Sequence, residues 1–179
     1  MASRPGELGY PGRQPTGEVR ELRQSMPVAK VRRKSAKVLL FDLDGMVLLL
    51  SGVDPTLPSH PPFWFPVGGG VESGETIEEA AIREVEEETG LVLFELGPVV
   101  MTRQAYFEFE GDFYDQEETY FAVRTGSFVP DSKGWTETEQ RVLGRPKWWH
   151  LNDLRSTKET IYPEGLAEIV EQLLGSDHF

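Results

Sequence analysis

Three glutamates carry the first chemical signal in this sequence: Glu84, Glu87 and Glu88 stand at i, i+3 and i+4. In a helix that spacing puts all three carboxylates on one face. Like charges placed so closely disfavour a helix by about 0.2–0.5 kcal/mol per pair, and a bound cation removes the conflict. Clustered carboxylate oxygens suit hard ions such as Mg2+ or Mn2+, which keep some of their waters and also bind phosphate oxygens. The plain alternative is a solvated acidic face running from Glu78 to Glu88 with no ligand at all. The neighbouring residues favour the ion. Arg83 is spaced to pair with Glu87 and to reach back towards Glu75, which would fix carboxylate orientations. Gly68, Gly69 and Gly70 let backbone carbonyls and amides approach a ligand directly.

The rest of the composition narrows the chemistry. With no cysteine among 179 residues, disulfides, thiolate nucleophiles and Cys-based metal sites are excluded, and a cytoplasmic address is expected. Any metal must be held by oxygen or histidine. Charge is unevenly placed: residues 1–37 hold nine Lys/Arg against three Asp/Glu, and residues 38–179 hold nine against 27. An acidic body repels nucleic-acid backbones, so stable nucleic-acid binding is not expected. A small phosphate-bearing substrate is tolerated there only with divalent cations between. No stretch approaches the roughly 18–20 apolar residues that cross a bilayer, and the N-terminus has charges and prolines where a signal peptide needs an apolar run. No membrane partner is expected.

The elements that must position these residues follow from local pattern. Residues 1–26 are rich in Gly, Pro and Arg without apolar periodicity, and residues 1–35 together read as a flexible basic N-terminal extension. A single domain is expected over residues 36–179. Val38–Phe41 and Val47–Leu50 read as buried strands around a turn at Asp42–Gly45. Residues 51–62 form a loop, Phe63–Phe65 a short aromatic strand. Thr76 and Glu79 make a capping box, and Gly90 supplies the stop, so a helix is predicted between them. Residues 98–109 and 113–124 read as a hairpin turning at Glu110-Gly111-Asp112. A loop over 126–146, a strand over 147–151 and an amphipathic helix over 163–174 complete the chain.

The segment from Gly69 to Leu91 resembles the Nudix box, G-x5-E-x7-R-E-U-x-E-E-x-G-U with U a bulky aliphatic residue. Gly69, Glu75, Arg83, Glu84, Val85, Glu87, Glu88, Gly90 and Leu91 fill all nine specified positions. The looser resemblance, in the order of flanking strands and helix, runs from about Ala36 to Leu174. It implies an α/β fold, an α/β/α sandwich around a mixed sheet. It implies that Glu84, Glu87, Glu88 and the backbone carbonyl of Gly68 ligate Mg2+ or Mn2+, with Arg83 and Glu75 as supports. The implied reaction is hydrolysis of a diphosphate linkage in a nucleoside diphosphate joined to another moiety, such as a nucleotide or nucleotide sugar, by metal-activated water. A homodimer is a further implication.

Outside the box the general base has candidates in Glu137 and Glu139, near Trp135, whose plain alternative is an exposed acidic loop; Glu118 is a further candidate ligand. Phe63, Trp64 and Phe65 are candidates to stack on a base and Arg103 to meet a phosphate, although aromatics in strands commonly serve the core. Two rival readings stand beside this one. A catalytically weak Nudix-fold module that binds nucleotides would have lost box carboxylates, and here all are present. Phe41-Asp42-Leu43-Asp44-Gly45-Met46-Val47 resembles the first motif of haloacid-dehalogenase-like phosphatases, but an Asp-Gly turn between strands accounts for the same residues.

Overall fold

The structure is a computed structural model that describes residues 31–176; the expected flexible extension over 1–26 lies outside the described residues. β1 (Val31–Phe41) begins five residues before the expected domain boundary, so residues 31–35, read from sequence as part of the extension, form the first half of this strand. β2 (Val47–Gly52) and β3 (Phe63–Pro66) follow, and then α1 (Ile77–Thr89). β4 (Val99–Phe109) and β5 (Asp112–Arg124) form the long hairpin. The remaining elements are α2 (Glu137–Val142), β6 (Lys147–Trp149), α3 (Leu151–Ser156), β7 (Thr160–Ile161) and α4 (Leu166–Leu174).

Among the described residues the strands form one mixed sheet in the order β4-β5-β1-β2-β3-β7, with β6 on β2. β1 runs parallel to β5 along its whole length, from Val31 opposite Tyr114 to Phe41 opposite Arg124. Its other edge meets β2 only at Phe41 and Val47, then diverges to take residues 67–71 as an antiparallel partner. Val38 N–H donates to Val67 O at 2.9 Å, and Ala36 N–H to Gly69 O at 3.0 Å. This divergence threads the glycine segment into the middle of the sheet.

Strands covered on both faces read as continuous apolar runs, and β1 and β2 sort their runs by alternation. Val38, Leu40, Leu48 and Leu50 pack under Ala80, Ala81 and Val85 of α1. Leu39, Phe41, Val47 and Leu49 pack on the opposite face against Leu154 of α3 and Leu166, Ile169, Val170 and Leu173 of α4. The result is the α/β/α sandwich expected from sequence.

Local readings hold where the signals are local. The turn after β1 is built on Asp42, whose Oδ1 accepts the N–H groups of Asp44 and Met46 at 3.0 and 2.8 Å, so this aspartate is a turn former rather than a nucleophile. Glu110 and Gly111 make a two-residue hairpin loop with φ of 51° and 79°, the backbone a type I′ turn requires. Short elements depart from expectation. The strand predicted over 147–151 stops at Trp149, because His150 caps α3 by accepting Asn152 N–H. The last helix starts at Leu166 rather than 163, after Gly165 in the left-handed region. The loop over 126–146 contains α2, opened by a capping box of Thr136 and Glu139.

Leu48 is fully buried between β2 and α1. Leu48→Ala is expected to lower unfolding free energy by about 2–5 kcal/mol in urea titrations, whereas Val99→Ala, at a 52% exposed position, should stay within about 0.5 kcal/mol.

Candidate functional site

α1 carries the acidic cluster and is fixed at both ends. Thr76 Oγ1 accepts Glu79 N–H at 3.1 Å and Glu79 Oε2 accepts Thr76 N–H at 2.8 Å, and Gly90 closes the last turn in the left-handed conformation. From this helix Glu84 and Glu88 point into the protein, with Val85 between them in the core. Glu87 faces outward, on a groove shared with Glu79, Glu86 and Gly134.

Arg83 organises the carboxylates. Its Nε and Nη2 donate to the two oxygens of Glu75 at 2.8 and 3.0 Å, its Nη1 to Glu84 Oε1 at 2.8 Å and Glu87 Oε2 at 3.0 Å, and its Nη2 also to Gly70 O at 3.0 Å. The sequence-level pairing with Glu87 and Glu75 is thus present, and a bond to the adjacent Glu84 is added. The bidentate bond to Glu75 leads the effects that hold the arginine's proton beyond its ordinary range, and the same bond holds Glu75 below the usual carboxylate range.

Glu88 has a different environment. Burial pushes its carboxyl up to about 8, and the neighbouring charges of Glu84 and Glu139 add to this, while Lys37 and the Gly68 N–H pull the other way. Burial likewise raises Glu84 against the pull of Arg83. The Gly68 N–H donates to Glu88 Oε2 at 2.7 Å. Gly68 has φ of 128°, and a Cβ there would lie 2.1 Å from Ala36 O, so only glycine lets this backbone pass β1 and reach Glu88.

The third acid comes from outside the box. Oxygens of Glu84, Glu88 and Glu139 all lie within 4.8 Å of one another. Glu139 is held by α2, its Oε2 accepting Thr136 N–H at 2.7 Å and Thr136 Oγ1–H at 2.8 Å. The preceding loop is pinned to the end of α1: Asp131 N–H donates to Thr89 O at 2.9 Å and Trp135 Nε1–H to Glu88 O at 3.0 Å. Glu84 and Glu88 offer two buried hard oxygen donors that fit a divalent ion of the Mg2+ or Mn2+ kind, with Glu139 beside them. Among the sequence candidates, the structure brings Glu84, Glu88 and Glu139 together and leaves Glu87 on Arg83.

The remaining candidates separate. Arg103 Nε donates to Glu118 Oε2 at 2.6 Å, and Glu118 also accepts Tyr120 Oη–H and Gln116 Nε2–H, each at 2.7 Å. Burial pushes Glu118 up, but these bonds, Arg103 first, keep it below the usual range. Glu118 is therefore committed to its neighbours on the sheet. Trp64 and Phe65 alternate in β3 and lie on opposite faces. Trp64 packs edge-on against Trp149 with ring centres 5.1 Å apart and donates to Glu159, within the α3/α4 layer; Phe65 joins the α1 layer. They do not converge on one ligand. Lys37 is the residue that sequence reasoning missed: its ammonium donates to Gly68 O and faces Glu88, Glu118 and Glu84. The available signal was a lone cation interrupting the apolar run from Ala36 to Phe41.

The Glu88 carboxyl keeps its proton to about pH 8 in the folded chain, against an ordinary 4.5. Its contribution to stability is therefore full below about pH 4.5 and is lost as pH rises towards about 8. Urea unfolding of the metal-free protein should show stability falling over that window, with a shallower fall in Glu88→Gln; the same slope in both proteins would contradict the assignment.

Comparison with known proteins identifies the family. The profile of the NUDIX domain matches residues 31–173. Nudix hydrolase YvcI of Bacillus subtilis is 29% identical over 94 residues, covering 52% of this chain and 55% of that protein. Nucleoside triphosphatase NudI of Escherichia coli is 43% identical over 70 residues, covering 38% and 49%. The chain spans about half the length of these relatives, and 26% of a nudix hydrolase of Caenorhabditis elegans. A solved Nudix hydrolase of Nitrosomonas europaea superposes with a TM-score of 0.62 at 20% identity, over 83% of this chain and 93% of that one, a likeness of fold. With a NUDIX domain match over residues 31–173 that takes in the box helix and the threaded glycine segment, this chain belongs to the NUDIX domain family.

Proposed function

We propose that this chain is a divalent-metal-dependent hydrolase that cuts a diphosphate linkage in a nucleoside diphosphate joined to another moiety. The observation that carries the reading is the convergence of Glu84, Glu88 and Glu139, two of them buried, on one point beside the Gly68 backbone. The name of the NudI relative, a nucleoside triphosphatase, supports a small nucleotide-like substrate for this chain as well.

In this reading Glu84, Glu88 and the Gly68 carbonyl would hold Mg2+ or Mn2+, with Glu87 at the outer edge of the same helix. A bound divalent ion supplies charge neutralisation at the phosphate oxygens and lowers the pKa of a water in its shell. The protein's own groups do the rest. Arg83 keeps Glu84, Glu87 and Glu75 in fixed orientations, so no side-chain search precedes reaction. Glu139, fixed by its capping box, accepts the proton of the attacking water. Water adds to one phosphorus, the bridging P–O bond breaks, and the bridging oxygen departs with the other phosphate. Arg103 remains a candidate phosphate contact, since Glu118 engages its Nε.

A nucleotide-binding module without turnover is the second reading, and the intact set of box acids in the bonded arrangement above argues against it. A panel of nucleoside triphosphates, nucleotide sugars, ADP-ribose and dinucleoside polyphosphates with Mg2+ or Mn2+, and products identified, separates the two. Release of nucleoside monophosphate or phosphate is expected; none across the panel, with nucleotide still bound, would favour the module. Glu84→Gln and Glu88→Gln should each lower kcat by about 100-fold or more with the fold retained. A Cβ at Gly134 would sit 2.5 Å from Glu87 O, so Gly134→Ala should lift the loop that carries Glu139 and reduce kcat by roughly tenfold to a hundredfold. Wild-type turnover in Glu139→Gln would remove Glu139 from the mechanism.

A further inference from the structure

β1 is apolar from Val38 to Phe41, and Lys37 enters that strand directly before it. Its register partner on β5 is Tyr120, and Glu118 lies opposite Ser35 two positions earlier. The Lys37 side chain is half-buried. It turns to the glycine segment and donates to Gly68 O, the carbonyl proposed above as a metal ligand. The acids acting on it are Glu88, Glu118 and Glu84, with Arg33 opposing, and the Phe65 ring lies 5.6 Å from its Nζ. Burial holds its affinity for a proton below the ordinary lysine range, and the three acids pull against this. The lysine nitrogen thus stands beside two buried carboxylates and a carbonyl, with Arg83 on the outer side of Glu84.

A divalent ion on the same carbonyl would meet this charge at close range, and two cations of like sign do not share one acceptor in a low-dielectric site. Lysine is a compact charge on a flexible four-carbon stem, so the group that yields is the side chain. We propose that Lys37 is the internal counter-cation of the acidic site, that it leaves Gly68 O when a divalent ion binds, and that its freed ammonium then takes an oxygen of the substrate's diphosphate. The same residue opposes the metal in the absence of substrate and favours the substrate in the presence of metal. This rests on the reading of Glu84 and Glu88 as the metal site.

Lys37→Met keeps length and apolar stem and removes the charge; Lys37→Gln does the same with a polar end. Mn2+ binding to each protein without substrate, followed by calorimetry or by the electron spin resonance of free Mn2+, should be about tenfold tighter than in wild type. With Mn2+ saturating, KM for the substrate found in the panel should rise about tenfold, because a charge-assisted contact to phosphate is gone. The opposite signs are the signature. A residue that only supported the fold would weaken both. Unchanged or weaker Mn2+ binding in Lys37→Met and Lys37→Gln, or an unchanged KM, would overturn the proposal. If instead Glu84→Gln and Glu88→Gln bind Mn2+ as tightly as wild type, the metal-site reading itself fails, which the lysine variants alone would not show.

Discussion

Crowded negative charge is the constraint on which the site depends. Glu84, Glu87 and Glu88 share one helical face, and Glu75 and Glu139 approach it from separate segments. Left to themselves these groups would repel one another and the helix would be the poorer for it. Arg83 resolves the outer half of the conflict by binding Glu75, Glu84, Glu87 and the Gly70 carbonyl with one planar fork. The inner half has no guanidinium. Glu88 is left with one backbone N–H and the distant pull of Lys37, and burial keeps it protonated well above the usual range. One end of the acidic face is bound by Arg83, and the other faces the Gly68 backbone and Lys37.

The fold serves that asymmetry. Because β1 leaves β2 after a single paired position, residues 67–71 can enter the sheet and bring backbone N–H and C=O groups under α1. Because residues of β1 and β2 alternate between two layers, α1 rests on an aliphatic surface while its acids overhang the glycine segment. The loop after β5 then closes over the far end of α1, using the carbonyls of Glu88 and Thr89 as docking points. Those carbonyls are among the unpaired groups that every helix end presents.

What the sequence revealed of this arrangement follows distance along the chain. The box helix was legible to its caps because every signal for it, from Thr76 to Gly90, lies within one stretch. The two strands and the Asp-Gly turn were legible for the same reason. The partnership of Glu139 with Glu84 and Glu88 spans about fifty residues and depends on a tryptophan N–H meeting a helix carbonyl, which no local pattern encodes. Lys37 looked like an ordinary charge at the start of a strand, since nothing nearby shows that Gly68 will lie beside it. The short elements α3 and β7 are products of packing against β3 and α4 rather than of propensity. The separation of Trp64 from Phe65 was in principle legible, as adjacent residues in a strand face opposite ways.

The parallel pairing of β1 with β5 also governs the order of assembly. Val31 finds its partner at Tyr114 and Phe41 at Arg124, more than eighty residues later. Closing so long a loop is entropically slow and must precede most of the sheet's reward. The helix of α1 is built on local signals, whereas the pairing of β1 with β5 is not local. The helix and the glycine segment beneath it come from the first half of the chain, and Glu139 comes from the second.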